Sequence, residues 1–489
     1  MKTATDRPHT RKRYLPQKQQ LESAAMTYVS SGARLDRLPM ARFHWKILGL
    51  ISAGACIDAY DVYIAGGVSA AMFKEGFSTL AQNALFVSSG FFGMVIGAAL
   101  AGWLGDHLGR RASYQFNLLL FGLASLAACF APNIETLIGL RFIMGIGLGA
   151  ELVIAAGTLS EFIPPRFRGR WISLLALIVN SGLVLATSIG YVVIPTLGWR
   201  WMFAIAGVGA VIIWVLRHRM PESPRWLESQ GRLEEAERTV SAIEAEVSAQ
   251  HGALPDCPRT QNLETPKVPF SALFTRAILP RTLTAAMTAI AVNVAVYGFV
   301  AWLPTFFVSE GLTVVKSLGF TTLMSFGAPA GALLGLAIAD RLGRARGLVL
   351  FAVLAIVLGI IYPNMTSAVA ITVVGFALVT CIYTIVTFGL FGYVPELFPT
   401  HLRLRGTGTA GVCGRLASMA TSYLAVILFA QFGLMGVLVM VSSCLLLMAL
   451  AILLLGVDTN QSTLEDIAPG AIGKRLRRAP LSTASGESR

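Results

Sequence analysis

Long apolar runs separated by short polar connections organise this chain. Six lie at 47–72, 84–105, 112–131, 136–160, 171–194 and 201–216, and six more at 282–308, 317–339, 347–363, 368–394, 406–431 and 433–457. A helix of about 20 apolar residues crosses the roughly 30 Å hydrocarbon core of a bilayer. The pattern therefore predicts an all-α membrane protein with twelve transmembrane helices. The shortest runs are helped by flanking side chains such as Arg200 and Arg217, which can reach the interface.

Composition agrees. The 489 residues are 55% hydrophobic and 13% charged, whereas a soluble protein carries about 25% charged residues. A disordered chain is excluded by the apolar content. The net charge is +13, and its distribution explains it without nucleic acid. If the amino-terminal tail is cytoplasmic, 34 Lys/Arg fall on that side and only Lys74, Arg200 and Lys316 on the other. Cytoplasmic loops retain basic residues, so both termini are expected inside, with contacts to lipid head groups. No cleavable leader is visible in the polar first 45 residues. The six cysteines are scattered, without metal-ligand spacing or a disulfide framework.

The expected organisation is a tail at 1–45, a six-helix bundle at 46–217, a cytoplasmic linker at 218–280, a second bundle at 281–457 and a tail at 458–489. In the linker, Leu227, Leu233, Ala236, Val240, Ile243 and Val247 follow an amphipathic spacing that predicts a helix against the membrane domain. Residues 253–267, with three prolines, predict a flexible connection. The bundles repeat each other. Asp106, Gly109 and Arg110 correspond to Asp340, Gly343 and Arg344 at an offset of 234, and Glu161, Pro164 and Arg168 to Glu396, Pro399 and Arg403 at 235. Parallel halves of this kind face each other across a midplane site.

The loop from Gly102 through Asp106, Gly109, Arg110 and Arg111 resembles the signature of the major facilitator superfamily, and the resemblance runs from Ile47 to Val457. In that loop Asp106 can accept from a helix amino terminus, and the arginines anchor in the interface. The segment Pro221-Glu222-Ser223-Pro224-Arg225-Trp226-Leu227 is similar to the sugar-porter and metabolite-porter lineage, as are Glu161 with Arg168 and Glu396-Leu397-Phe398-Pro399 with Arg403. Asp58-Ala59-Tyr60-Asp61 and Gly411-Val412-Cys413-Gly414-Arg415 resemble the aromatic-acid and nicotinate-type proton symporters of that lineage. The resemblance implies a secondary transporter that works by alternating access. Its partners would be a small-molecule substrate and protons, with no cofactor, no metal and a functional monomer in the inner membrane.

Ionisable groups inside spans are costly and are functional candidates by default. Asp58, Asp61, Arg141, Glu151 and Arg415 qualify. From a rise of about 1.5 Å per residue, Asp61 lies roughly 16 Å and Arg141 roughly 8 Å below the outer face. A long arginine side chain can bridge that difference, either as a proton-coupling pair, which the resemblance implies, or as a static pair that fixes helix register. Asp58, one turn earlier on the same face, is a second proton site, a substrate ligand or a cavity carboxylate. Glu151 is a substrate-site group or a bond to a neighbouring helix. The planar fork of Arg415 suits a carboxylate, unless it serves a helix end or Glu151. Asn180, Asn293, Tyr297 and Tyr383 can bond substrate or hold helices together. Arg110, Arg111, Glu161, Arg168, Glu222, Arg225, Arg344, Glu396 and Arg403, with Asp106 and Asp340, fall at inner helix ends. The resemblance makes them an ionic latch, and a solvated rim is the alternative.

The expected function is proton-coupled uptake of a small organic acid, with an aromatic carboxylate as one candidate. Sugar or polyol transport and efflux are the competing transporter readings. A non-transporting sensor would have no need of Asp61 and Arg141. An enzyme finds no catalytic constellation, and the glycines at 145, 147 and 149 sit inside a span with no preceding strand, so they are not a nucleotide loop.

Overall fold

The structure is a computed structural model, and residues 30–257, 269–399 and 402–456 are described. The first six spans are Arg42–Lys74, Leu80–His107, Arg110–Ala128, Ile134–Phe162, Pro165–Leu197 and Arg200–Arg217. The seventh and eighth cover Leu279–Ser309 and Val314–Leu342, and the ninth is Arg344–Ile361. The tenth covers Ala368–Glu396. Spans 11 and 12 run on from Arg403 to Leu455 and are parted at Gly433. Its φ of +61° is a backbone state in which a side chain is strained, so the glycine forms a sharp corner where the sequence pattern changes helix.

This is the twelve-helix major facilitator fold. Its internal repeat is also visible in the backbone. Gly109 and Gly343 precede spans 3 and 9 with φ of +92° and +80°, the same left-handed entry at the offset found in sequence. Spans 7 and 10 are irregular, with wide π turns at Ala295–Phe299 and Thr387–Tyr393. Such insertions occur often at functional positions, and hydrophobic periodicity does not signal them.

The inner end, taken as the one bearing the Arg/Lys-rich loops, carries an extra layer. A helix at Leu233–His251 buries Ala236, Val240, Ile243 and Val247; Ile243 and Val247 join a cluster that includes Leu35, Leu38, Phe43 and Ile47, and Ala236 packs with Trp226 and Leu227. The expected amphipathic helix is thus shorter than its pattern. Leu233 is 47% exposed, and Leu227 belongs to the separate short helix Pro224–Ser229, because Gly231 with φ of +74° ends that turn. Most of the expected flexible connection, from 258 onward, lies outside the described residues.

The segment before span 1 is also built into this layer. Ser31–Asp36 is a helix whose Ser30 side chain accepts from the N–H of Ala33. Arg34 reaches Glu244 and Glu237, each at 2.6 Å, and Arg37 reaches Glu244 at 2.6 Å. These residues therefore form part of the packed layer at the inner end.

Candidate functional site

Asp61 and Arg141 meet as the depth estimate predicts. Asp61 is fully buried and Arg141 is 3% exposed. One Nη of Arg141 donates to the Asp61 carboxylate, and the other donates to the Asp61 carbonyl at 3.1 Å. The guanidinium also lies 5.3 Å from the Phe86 ring centre. Gly90 allows this approach, because a Cβ there would press on the Arg141 side chain. The second carboxylate oxygen, Asp61 Oδ1, has no hydrogen-bond partner among the described residues. The pair can exchange a proton for the arginine, because an aspartate loses its need of a cation once it is protonated.

Asp58 does not join this pair, although it is one turn away. It faces Glu151 and Arg217. Arg217 does not extend to the interface as its place beside an apolar run suggests: it is 1% exposed and lies 2.5 Å from Glu151. The physical reason is that the guanidinium finds a buried carboxylate and backbone carbonyls within its reach, and these replace water. Glu151 is therefore drawn into an ion pair rather than toward the tyrosines described next, and it is not the partner of Arg415.

Those tyrosines join the two halves. Tyr383 donates its hydroxyl to that of Tyr63 at 2.7 Å. Tyr63 and Tyr297 stack with ring centres 6.3 Å apart, and Phe91 meets Tyr297 edge-on at 4.6 Å. Arg415, half-buried on span 11, faces Tyr297. None of the acidic side chains described ion-pairs with it. Tyr63 and Phe91 were missed in sequence, although Tyr63 stands two residues beyond Asp61 on a helix already singled out. Aromatic faces around a guanidinium can hold a flat ligand that ends in a carboxylate.

The other two polar candidates differ. Asn293 donates to Ala289 O at 2.8 Å and accepts from Ser418 at 3.0 Å, which ties spans 7 and 11 together. Asn180 is buried, with no hydrogen bond to its Nδ2 among the described residues, and no described contact links it to the tyrosines.

At the inner end the repeat reappears as matched ion pairs. Arg110 binds Glu161 at 3.0 Å, and Arg344 binds Glu396. Arg225 binds Asp36 at 2.5 Å, and Arg168 lies 3.9 Å from the same carboxylate. The first two pairs each lie within one half, whereas Asp36 and Arg225 belong to the segments that flank the first half. Glu222 accepts from the N–H groups of Arg110 at 2.9 Å, Arg111 at 3.2 Å and Ser223 at 2.9 Å. It therefore occupies the helix-end position expected for Asp106. The side chains of Asp106 and Asp340 lie outside what is described. The buried Nε and Nη2 of Arg403 find no hydrogen bond among the described residues.

The outer halves of the spans meet through uncharged groups instead. Thr305 donates to Gly66 O at 3.2 Å, Thr322 to Thr187 O at 3.0 Å and Ser88 to Met419 O at 3.0 Å, while the hydroxyls of Thr187 and Ser325 lie 2.9 Å apart. A Cβ on Gly66 would fall on the Ala301 carbonyl, so the missing side chain lets span 1 approach the backbone of span 7.

A two-half bundle with buried ionisable pairs and a contact zone between the halves defines a multi-pass secondary transporter. Residues 48–470 match the family described as "Sugar (and other) transporter", and the chain belongs to that family, within the major facilitator superfamily. Its members are transporters rather than enzymes. The chain is 37% identical over 447 residues to "Inner membrane metabolite transport protein YdjE" of Escherichia coli (strain K12), covering 90% of this chain and 99% of that one. It is 31% identical to "Niacin transporter NiaP" of Acinetobacter baylyi, with coverages of 89% and 99%. Among solved structures, the xylose transporter XylE from E. coli superposes with a TM-score of 0.68 at 18% identity, covering 86% of this chain and all of that chain.

Proposed function

We propose that this transporter takes up a small organic acid, specifically a flat aromatic carboxylate, together with protons. The observation that carries the reading is Arg415, a half-buried cation that no described acidic side chain pairs with, facing Tyr297 in a zone also formed by Tyr63, Tyr383 and Phe91. A carboxylate supplies the missing counter-charge, and the rings supply flat apolar faces. The similarity to a niacin transporter supports the same class, since niacin is a pyridine carboxylate.

In this mechanism 46–217 and 281–457 are the halves that rock about the tyrosine zone, and the protein works as a monomer in an inner membrane with both tails cytoplasmic. Asp61 takes the coupled proton when the outer side is open. Protonation releases Arg141, and the proton leaves once the inner side is wet. The arginines and carboxylates at the inner ends latch that side shut in the outward-facing state by re-pairing across the halves. A sugar or polyol substrate is the second reading, favoured by the segment from Pro221 to Leu227 and by the family's namesake substrates.

The test is uptake by proteoliposomes of radiolabelled aromatic carboxylates, their amides and sugars, with and without an imposed pH gradient. Arg415→Lys keeps the charge and loses the planar fork, so affinity for the acid should fall about tenfold to a hundredfold, the worth of a charged hydrogen bond. Affinity for the amide should change little. Sugar transport, or equal losses for acid and amide, would reject the organic-acid reading. Orientation is tested separately by Ala253→Cys, which a membrane-impermeant reagent should label only after permeabilisation.

A further inference from the structure

Asp58 belongs to a second group of buried charges. The charged side chains that face it are Glu151 of span 4, Arg217 of span 6 and Asp61 on its own helix. Span 3 contributes Tyr114, whose ring lies 4.4 Å from the Arg217 guanidinium, and Cys56 neighbours Asp58 on span 1. Span 5 carries no charged residue from Trp171 to Trp199.

Arg217 is fixed on several sides. Its Nε donates to Leu50 O at 3.0 Å, one Nη donates to Ile51 O at 3.1 Å, and the other Nη lies 2.5 Å from Glu151. Gly54 makes room for this arrangement, since a Cβ there would fall on the guanidinium and on the Glu151 carboxylate. The guanidinium is therefore fastened to Glu151 and to the backbone of span 1. Asp58 is left without an ion pair among the described residues, and its Oδ2 is buried with no hydrogen-bond partner there.

Charge counting gives the consequence. Two ionised carboxylates and one guanidinium leave a net negative charge in an interior that tolerates unpaired charge poorly. One proton makes the group neutral, and the contacts decide where it sits, because Glu151 has the arginine and Asp58 does not. We propose that Asp58, Glu151 and Arg217 form a second proton-carrying site, with the proton on Asp58 and with Arg217 as the positioning residue that keeps Glu151 ionised. Release breaks the Asp58 O–H bond and passes the proton to water entering from the inner end, leaving a carboxylate that the guanidinium then shares with Glu151. The inference rests on the proton-coupled reading above and adds to it a stoichiometry of two protons per cycle.

Infrared difference spectroscopy of the purified full chain near neutral pH tests the site without any substrate. The wild type should show the carbonyl stretch of a protonated carboxyl, shifted by deuterium. That band should vanish in Asp58→Asn and remain in Asp61→Asn. Glu151→Gln should also remove it, because Arg217 then has only Asp58 to neutralise and the aspartate ionises. The second readout is the proton-to-substrate ratio for the transported carboxylate, taken from the pH gradient that just balances its concentration gradient. Two is expected for the wild type, and one for Asp58→Asn and Glu151→Gln. A wild-type ratio of one, or a carboxyl band that Asp58→Asn leaves in place, overturns the second site, and both wild-type measurements stand even if a variant fails to fold. Failure of the broader reading looks different: Asp61→Asn would keep the wild-type accumulation and the wild-type proton ratio.

Discussion

The two halves share a backbone plan but hold their charges differently. In the first six spans, Asp61 is paired with Arg141 and Glu151 with Arg217, and all four are buried. In the last six, Arg415 faces a tyrosine. At the inner ends the halves still match, with Arg110 on Glu161 and Arg344 on Glu396. The duplication is therefore preserved where helix ends are tied and lost where charge lies deep. A paired interior can change protonation while remaining near neutral, and a lone cation invites an anion. Under the proposed function, this difference places proton chemistry in the first half and the cation that meets the substrate in the second.

The strongest way to break this assignment is Asp61→Asn. Removing one partner of a buried pair leaves an uncompensated charge worth about 3–5 kcal/mol, and an amide carries no proton, so accumulation against a gradient should fall steeply, with only the proton held by Asp58 left to drive it. Because the proposed substrate zone centres on Arg415, exchange of labelled for unlabelled substrate should survive, and Asp61→Asn combined with Arg141→Gln should recover stability lost by the single change. Wild-type accumulation in the Asn variant would end the claim that this half couples protons.

Gly66→Val probes the seam where the halves touch. The side chain would collide with the Ala301 carbonyl, and overpacking a tight contact costs roughly 1–3 kcal/mol. The outer side should then stay open for a larger fraction of the time. Cysteines introduced along the outer part of span 1 should be labelled several-fold faster, with transport slowed. Unchanged labelling would mean that the seam does not move.

The matched inner pairs sharpen the comparison by testing where the halves are alike. Glu161→Gln and Glu396→Gln each remove one carboxylate from an equivalent partly exposed pair, worth about 1 kcal/mol. Both should lower transport velocity a few-fold and by similar amounts, with little effect on binding affinity. A loss of binding in only one of them would show that the halves have diverged there as well.

The smallest effect belongs to the segment bound to the helix Leu233–His251. Burial alone pushes Glu244 up, but hydrogen bonds from Arg34 and Arg37 outweigh it and leave the carboxyl below its usual range. A lowered carboxyl favours the folded contact above its unfolded pKa and loses that contribution as pH falls through the folded value. Glu244→Gln should loosen the segment by about 1 kcal/mol, read as faster tryptic cleavage after Arg34 and Arg37. Wild-type protein should approach the same cleavage susceptibility when briefly acid-treated with a protease active at low pH, and a pH-independent rate would discount the ion pairs.

Much of the architecture was legible in the chain. Lipid-length apolar runs and the offset repeat specify the spans, because a bilayer accepts few backbone solutions and each must satisfy its own hydrogen bonds. The glycines before spans 3 and 9, the corner at Gly433 and the meeting of Asp61 with Arg141 follow from local conformational need and from helical rise. Partner choice among neighbouring helices did not follow. Arg217 stood one residue beyond an apolar run and read as an interface residue, yet its reach and the room at Gly54 carry it inward to Glu151. Asp58 and Asp61 share a helix face, but span 4 and span 6 divide them between two charge groups. Tyr63 and Tyr383 come from opposite halves and are 320 residues apart in sequence. Hydrophobic periodicity fixes which face of a helix is buried, whereas the side chain opposite it is decided by how the helices rotate and pack, and that belongs to the tertiary structure alone.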